Sequence, residues 1–479
     1  MQRPLLVTAA LTALAACTSP RSASDPVAVV GQREWLAGDH HVHSRYSVAW
    51  NDSTTPPTPV IAGDAAYPIP ANAAMARHHG LSWMVSTDHG GPNHSKLNLE
   101  VAYPEVQRAR QVVPDLVLFY GMEFDTPGAD HSSLIMPHSD HEHTDLYEIE
   151  HRFAKRDAHP PDVGRDVEPK MIEALRYMAA LRREPVLIAN HPARSALDYG
   201  KYGQDTPSEF RNWNDAAPRV SVGMEGAPGH QASALNRDGS VDTTGARGGY
   251  RRAATMGGFD QMSARVGGLW DALLGEGRRW WITATSDSHR NWREGGSDFW
   301  PGEYAKTYVY ARKTHDDILD GVRHGRVFVT TGDLISELYV TATSGEGAAS
   351  LGDSVAVVPG GSLTVTIRLR DPETPNHHGD RPRVQRVDLI AGDVTGRVAD
   401  RSSDHNHSTR VVRRFSDADW RREGEYLVMT HTLTGVERSG YVRVRGTNGT
   451  ELEPTPDPLG EDPWRDLWFY ANPIFFHLP

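Results

Sequence analysis

Short, mostly apolar runs recur along the first two thirds of the chain, and polar residues separate them. Seven of these runs predict buried strands, at residues 34–37, 81–86, 116–120, 132–136, 185–189, 220–224 and 280–285. Helical stretches are predicted between them, at 73–79, 171–183 and 267–276. Strands that alternate with helices are typical of a parallel α/β barrel, here one strand short of the eightfold form.

Longer polar segments interrupt this pattern. Residues 52–72, rich in Pro, Thr and Asp, predict a loop that leaves the barrel. Residues 137–168 predict a long loop with some helix, and the Gly- and Arg-rich segment 226–257 predicts a loop over the site. These polar segments therefore predict irregular structure near the strand ends, where the active sites of such barrels lie.

The pattern changes after Leu334, where clear helical periodicity is absent. Short strands divided by turns are predicted at 338–341, 363–367, 387–390, 426–429 and 440–444. Such spacing is typical of an antiparallel β-sandwich. We therefore expect a barrel at 33–333 and a β-sandwich at 334–479.

The start of the chain has the features of an export signal. Arg3 precedes an apolar run, Leu5–Ala16, whose 12 residues are too few to span a bilayer as a helix. The small residues before Cys17 resemble a bacterial lipoprotein signal, and the alternative is an ordinary secretory signal with an incidental cysteine. We expect a signal at 1–17, a flexible tether at 18–32, and an exported lipoprotein anchored on the periplasmic side only through lipidated Cys17.

Composition narrows the function classes. The net charge of −12 argues against nucleic acid as a partner. Cys17 is the only cysteine, which excludes a disulfide or a thiolate metal site in the exported part. Thirteen of the 24 histidines fall between His40 and His159, which indicates a site. A small-molecule substrate fits this composition, and the oligomeric state stays open.

Histidines and carboxylates lie at the ends or starts of the predicted strands. The set comprises His41, His43, His89, Glu123, His131, His191, Asp287 and His289. Any one of them alone is better explained as a hydrogen-bonded structural residue, but eight in strand order favour a shared metal centre. The pair His41 and His43 points to one side of an extended segment. Imidazole and carboxylate ligands without thiolate suit Zn, Mn or Fe.

These motifs together resemble the PHP (polymerase and histidinol phosphatase) superfamily. The segments that carry the resemblance are His41-Val42-His43, Thr87-Asp88-His89, Gly121-Met122-Glu123, His131, Asn190-His191-Pro192 and Ser286-Asp287-Ser288-His289. The resemblance covers residues 33–333 and implies a distorted seven-stranded (β/α) barrel, two or three metals and hydrolysis of phosphoesters. The segment Gly325–Gly332 and the trailing sandwich are similar to the carbaryl-hydrolase-like branch, in which activity on a carbamate ester is known.

The resemblance also implies which residues hold each ion. One ion would be held by His41, His43, Glu123 and Asp287. A second would share Glu123 and add His131 and His191. His89 and His289 would belong to a third position, whose remaining family ligand is replaced here by Ala49, with Asp52 as a candidate substitute. Two divalent ions are therefore expected, and three are the alternative.

Four further residues are candidates for supporting the ligands. Asp39 and Asp88 stand beside ligands and either orient imidazoles or form strand-end hydrogen bonds. Glu225 and His230 follow the sixth predicted strand and either face the site or bond within their loop.

Arginines near the metal motifs are candidates for substrate binding. Arg194 and Arg290 could clamp an anionic substrate, with surface solvation as the competing interpretation. His89, His289 and Arg194 are the candidate catalytic residues. The run His138–His143 resembles a metal cluster by composition, but its polar surroundings predict a solvated segment.

The function predicted from these features is hydrolysis of a small-molecule phosphoester by a metal-bound hydroxide. A first alternative is hydrolysis of a carboxyl or carbamate ester at the same site. A second is a non-catalytic surface lipoprotein, in which the sandwich binds a carbohydrate or a protein.

Overall fold

The computed structural model describes residues 31–479, which form a mixed α/β structure. The predicted signal and most of the predicted tether lie outside the described residues. Within residues 31–479, every helix is too short or too polar to cross a lipid bilayer.

Strands and helices alternate up to residue 331. The strands are β1 (Glu34–Asp39), β2 (Ala49–Asn51), β3 (Thr58–Val60), β4 (Trp83–Ser86), β5 (Val117–Asp125), β6 (His131–Ile135), β7 (Val186–Ala189), β8 (Ser221–Ala227), β9 (Trp281–Ala284), β10 (Ala305–Ala311) and β11 (Val327–Thr331). The helices are α1 (Ile69–His78), α2 (His94–Leu97), α3 (Tyr103–Val112), α4 (Glu142–Phe153), α5 (Glu168–Ala179), α6 (Pro207–Ala216), α7 (Gln261–Ala264), α8 (Leu269–Gly275) and α9 (His315–Arg323).

The rest of the described chain is rich in strands. They are β12 (Glu337–Ser344), β13 (Gly347–Ala349), β14 (Ser354–Ala356), β15 (Gly361–Arg370), β16 (Arg386–Asp393), β17 (Arg410–Phe415), β18 (Arg421–Glu423), β19 (Tyr426–Val436), β20 (Gly440–Thr447), β21 (Trp468–Ala471) and β22 (Ile474–His477). Side chains along β15 alternate between buried and partly exposed, so this strand presents one face to the core.

One large mixed sheet contains 15 of the strands. Its order is β14-β22-β20-β21-β11-β10-β1-β4-β5-β6-β7-β8-β9, with β16 and β17 attached through β20. A second sheet has five strands in the order β13-β12-β15-β19-β18, and β2 pairs with β3 in a hairpin. The predicted α/β class with a β-rich C-terminal part is confirmed.

The prediction of a purely parallel arrangement is wrong at β6, which is antiparallel to both β5 and β7. Residues 126–130 alone connect β5 to β6, and a parallel pair needs a crossover of a dozen or more residues. The strand β10, which the apolar pattern did not predict, is antiparallel to β1 and β11. Lys306 interrupts the apolar run of β10. Its side chain is buried and forms an ion pair with Asp333.

Six strands nevertheless run in one direction, namely β1, β4, β5, β7, β8 and β9. Their carboxyl ends lie at the same edge of the sheet. Because β6 runs the opposite way, its first residue, His131, lies at that edge as well. β9, at the end of the sheet order, also contacts the region of β10 and β1. Ala284 N on β9 donates to Thr307 Oγ1 on β10 (2.8 Å), and His43 N after β1 donates to Ser288 O after β9 (3.0 Å).

The end of β1 is fixed by tight packing on β4. The indole of Trp83 is fully buried and covers Gly38, where an added Cβ would lie 1.9 Å from the ring. Its Nε1 donates to Leu36 O at 3.1 Å. A side chain at position 38 would therefore displace the segment that carries the opening histidine pair.

Strand pairing crosses residue 334, where we expected a domain boundary. Antiparallel β21 pairs with β11 through Phe328 and Ala471, so the large sheet continues into the C-terminal strands. Those strands are antiparallel to their neighbours, except that β14 and β22 are parallel.

Candidate metal centre

The opening histidine pair lies directly after β1. His41 and His43 are fully buried, and their Nε2 atoms are 2.9 Å apart. Asp39 fixes the main chain here, since its carboxylate accepts from His41 N and from Ser286 N, each at 3.0 Å. Of the two interpretations of Asp39, strand-end hydrogen bonding is therefore the one that the contacts support.

Both imidazoles are held through Nδ1. Glu225 Oε1 lies 2.7 Å from His41 Nδ1, and a carboxylate can only accept, so His41 Nδ1 donates. Ser47 Oγ lies 2.7 Å from His43 Nδ1 and donates its own proton to Asp88 Oδ1 at 3.1 Å, so His43 Nδ1 also donates. Both Nε2 atoms are thereby turned toward the same point. Glu225 faces the site, and Asp88 orients His43 through Ser47.

A first group of ligand atoms surrounds Asp287 Oδ1. This oxygen lies 3.1 Å from His41 Nε2 and 3.0 Å from His43 Nε2. Glu123 Oε1 is 3.1 Å from His41 Nε2. His41, His43 and Asp287 are all buried and can hold one ion together. Asp287 has a φ of +48°, a strained conformation of the kind that functional sites maintain.

A second group surrounds Glu123. Its Oε1 lies 3.1 Å from His191 Nε2 and 3.1 Å from His131 Nδ1, in addition to His41 Nε2. His41, Glu123 and His191 can likewise hold one ion. His41 belongs to both groups, and Glu123 adjoins the first one as well, with its Oε2 3.7 Å from His43 Nε2.

A third group comprises His43, His89 and His289. The rings of His43 and His289 stack with centroids 3.8 Å apart. Asp64 completes the group: its Oδ2 lies 2.7 Å from His89 Nε2 and 3.4 Å from His289 Nε2.

Asp64 was missed by sequence reasoning, which suggested Asp52 at this position. Asp52 is exposed in the turn after β2, and its side chain forms no hydrogen bond or ion pair among the described residues. The β2–β3 hairpin occupies part of the predicted loop and returns the chain to the site, where Ala66 N donates to His289 O at 3.0 Å. The spacing from His43 to Asp64 depends on this hairpin, so no local motif marks the residue.

His230 and Asp298 form an additional pair at the centre. His230 Nε2 lies 2.9 Å from Asp287 Oδ2, and its Nδ1 bonds Asp298. Asp298 also accepts from His289 N at 2.7 Å. His230 therefore faces the site, as one of its two interpretations proposed. Asp298 lies between predicted elements and carried no sequence signal.

A carboxylate–arginine pair supports His131. Asp125 Oδ1 lies 3.3 Å from His131 Nε2, and Arg156 Nε donates to the same oxygen at 2.7 Å. Burial raises the pKa of Asp125, but His131 and Arg156 outweigh burial and hold that pKa below its usual range. Asp125 therefore remains an acceptor that orients His131.

The buried charges at the centre require positive compensation. Burial disfavours a charged His41, but Asp287 and Glu123 outweigh burial and raise its pKa well above the usual range. Burial similarly opposes charge on His131, but Glu123 and Asp125 raise its pKa to about 10. The carboxyl pKa values of Glu123 and Asp287 are lowered by the imidazoles despite burial. A cation between these groups would meet the same electrostatic requirement as the protons.

Contact directions distinguish ligation from hydrogen bonding. Asp287 Oδ1 is buried without a well-aligned hydrogen bond, although two imidazole nitrogens lie within 3.1 Å. His131 Nδ1 is also buried without a well-aligned hydrogen bond, although Glu123 Oε1 lies 3.1 Å away. Buried polar atoms are normally paired. Atoms that are close but misaligned fit ligands arranged around a common ion, so the residues present suit a divalent metal.

The two candidate arginines differ in placement. Arg194 borders the centre, with guanidinium nitrogens 3.8 Å from Asp130 Oδ1 and 3.8 Å from Asp287 Oδ2, and its side chain is 31% exposed. Arg290 is exposed, and its side chain forms no ion pair within residues 31–479. Of these two arginines, only Arg194 borders the groups that could hold a metal.

The run His138–His143 lies apart from the centre and starts α4. His138 and His141 are exposed, as predicted for a solvated segment. Glu142 is an exception, since it is fully buried and bonds Arg110. Among the described residues, this run contributes to none of the groups that could hold a metal.

No protein-family model matches the chain. No curated protein matches it with significant sequence similarity. The functional assignment therefore depends on the geometry of the site.

Proposed function

We propose that the chain is a metal-dependent hydrolase that cleaves a phosphoester of a small molecule. The observation that carries the proposal is the position of Glu123 Oε1, 3.1 Å from imidazole nitrogens of His41, His131 and His191. A carboxylate that lies among imidazoles from separate strands can be shared by two ions, which supports a two-metal hydrolytic site.

We further propose that the strands from β1 to β9 form a PHP-like barrel of the carbaryl-hydrolase-like branch. The return of β9 to β10 and β1 supports a closed arrangement, in which the carboxyl ends surround one mouth. The ordered motifs from His41 to His289 support the superfamily, and the β-rich C-terminal part agrees with the branch.

Two of the proposed ions would share Glu123. His41, His43, Asp287 and Glu123 would hold one of two Zn, Mn or Fe ions, and Glu123, His131 and His191 the other. A third ion would be held by His89, His289 and Asp64. Bound ions would supply an activated water and would stabilise negative charge on the ester oxygens.

The chain's own residues bind and position the substrate. Arg194 is partly exposed beside both Asp287 and Asp130, and its planar guanidinium suits an anionic phosphoryl group. The side chains of His89 and His289 are 16% and 20% exposed, and they can bond a substrate oxygen when the third position holds no ion. Glu225, Ser47 and Asp125 keep the ligand imidazoles in place.

The test is a hydrolysis screen of aryl phosphates, aryl carbamates and aryl carboxylates, each with added Mn or Zn. We expect turnover of an aryl phosphate, and its loss in His41→Ala and Asp287→Ala. His407→Ala, in an exposed C-terminal loop, is the matched control and should keep wild-type rates. Exclusive turnover of carbamates or carboxylates would replace the phosphoester proposal with the first alternative. Absence of bound metal and of turnover with every ion would favour a binding lipoprotein.

We also propose export and attachment through Cys17. Cys17→Ala should move the protein from the membrane fraction to the soluble fraction of its bacterial host. Retention of that variant in the membrane fraction would contradict lipid attachment.

A further inference from the structure

A second cavity lies at the opposite end of the strands from the metal centre. It has a volume of about 630 Å³ and opens where the amino ends of β8 and β9 meet β14. Trp281 at the start of β9 lines it, whereas Asp287 after the end of β9 belongs to the metal centre. The four residues of β9 alone span roughly 13 Å, so the cavity and the metal centre lie at opposite ends of this strand.

Arginines dominate the lining of this cavity. They are Arg219, Arg278, Arg279, Arg323 and Arg397. Three of them have carboxylate partners: Arg219 pairs with Glu184 at 2.7 Å, and Arg278 and Arg397 share Asp215 at 2.7 and 3.1 Å. The positive charge contrasts with the net charge of −12 for the whole chain.

Arg279 and Arg323 lack such partners. Within residues 31–479, neither has a carboxylate oxygen within the 4.0 Å distance of an ion pair. Arg279 instead stacks on the ring of Phe475, with its guanidinium carbon 4.0 Å from the centroid. Arg323 donates to main-chain carbonyls, including Arg219 O at 3.0 Å.

These contacts orient the two guanidinium groups without neutralising them. Burial lowers the pKa of both Arg279 and Arg323, and the neighbouring Arg219 lowers that of Arg323 further. Carboxylates beyond ion-pair distance act in the opposite direction, namely Asp353 in the cavity lining on Arg279, and Glu184 and Asp320 on Arg323, but the net shift of both pKa values is downward. A partly buried cation without a counterion is unfavourable, and an anion in the cavity would remove that cost. Carbonyl and aromatic contacts also pre-order the side chains, which lowers the entropy cost of binding.

We propose that this cavity binds a small molecule that carries two or more phosphate groups. Its volume lies within the range of small-molecule sites, about 300–1,000 Å³. Arginine forks match phosphate oxygens in pairs, and charged hydrogen bonds of this kind are the strong ones. Since two oriented cations have no carboxylate partner, a ligand with more than one phosphate uses the site better than a monoanion.

The test uses inorganic tripolyphosphate as the probe and isothermal titration calorimetry on the whole exported chain. Metal is removed with a chelator and dialysis before titration. We expect saturable binding that weakens as salt rises. The double variant Arg279→Gln/Arg323→Gln should bind at least about tenfold more weakly, the effect of losing roughly 1.4 kcal/mol.

Three comparisons make the result decisive. Arg421→Gln, a control whose side chain is 73% exposed on β18, should bind like wild type. His41→Ala should also bind like wild type, because the metal centre is elsewhere. Arg279→Lys keeps the charge but loses the fork, and should weaken binding even if the double variant fails to fold.

Binding of tripolyphosphate to the folded double variant with wild-type affinity would overturn the proposal. So would a wild-type chain that shows no saturable binding at low salt. Neither result depends on hydrolase activity, so failure of this proposal is distinguishable from failure of the proposed function.

Discussion

Replacement of Glu225 by glutamine tests how the protein prepares its metal ligands. Glu225 Oε1 accepts from His41 Nδ1 at 2.7 Å and from Thr285 Oγ1 at 2.8 Å, and Oε2 accepts from His191 N at 2.6 Å. Glutamine has the same shape but offers one accepting oxygen and a donating NH₂ group. In either orientation of the glutamine amide, its NH₂ group faces a donor, and that donor is left without an acceptor.

The expected magnitude follows from that mismatch. A buried donor left without an acceptor costs about 1–3 kcal/mol. If this cost falls on the metal-bound state, it weakens metal binding, and each cost of about 1.4 kcal/mol lowers the affinity tenfold. Loss of a carboxylate that orients a ligating imidazole typically weakens metal binding by about 10–100-fold. Both estimates predict that Glu225→Gln binds Zn²⁺ about 10–100-fold more weakly than wild type.

The assay is competition for Zn²⁺ between metal-free protein and a chromophoric chelator. Asp388→Asn is the matched control, since Asp388 is buried and accepts from Arg386 Nε at 3.0 Å and from Arg445 Nε at 3.1 Å, and it belongs to none of the groups that could hold a metal among the described residues. It should lower stability without changing affinity. Unchanged Zn²⁺ affinity in a folded Glu225→Gln protein would refute the idea that Glu225 orients the centre.

Three further predictions concern other parts of the chain. Asp64 fills the third position, for which the sequence offered no clear ligand, so a third ion is expected there and Asp64→Asn should lower the number of bound divalent ions from three to two, as measured by elemental analysis. Burial and nearby imidazoles hold the pKa of His79 at about 3, against about 6.5 when unfolded, so stability should fall as pH drops below 6.5. His79→Gln should flatten that pH dependence in urea unfolding. Gly38→Ala should destabilise the fold by about 1–3 kcal/mol or more through its clash with Trp83.

Each of these has a contrary outcome. Equal metal content in Asp64→Asn and wild type would exclude Asp64 as a ligand. If the free energy of unfolding falls equally in wild type and His79→Gln between pH 7 and pH 4, this histidine does not confer acid sensitivity. Wild-type stability of Gly38→Ala would mean that the Trp83 ring has room to move.

The parts of the fold that depend on local sequence patterns could be predicted. Buried parallel strands such as β4 and β7 read as short apolar runs, and their polar ends marked His89 and His191. The direction of β6 was not readable from its own residues, because direction depends on the length of the connection from Asp125 to His131. His131 Nδ1 nonetheless lies 3.1 Å from Glu123 Oε1, because the reversed strand begins at the same edge.

The missed residues share a physical cause. Asp64 and Asp298 reach the centre from irregular segments, whose course is set by tertiary contacts. No period or strand end points to such positions. Pairing of β11 with β21 was similarly invisible, because the partners are separated by more than a hundred residues and their apolar patterns do not specify each other.

Anomalous diffraction from crystals soaked in Zn²⁺ tests the central claim most directly. If side chains from separate strands hold divalent ions together, a zinc peak lies about 2.0–2.2 Å from Glu123 and from the nearest imidazole nitrogens of His41 or His191. Saturating zinc with no peak at Glu123, or with peaks only elsewhere on the protein, would contradict it.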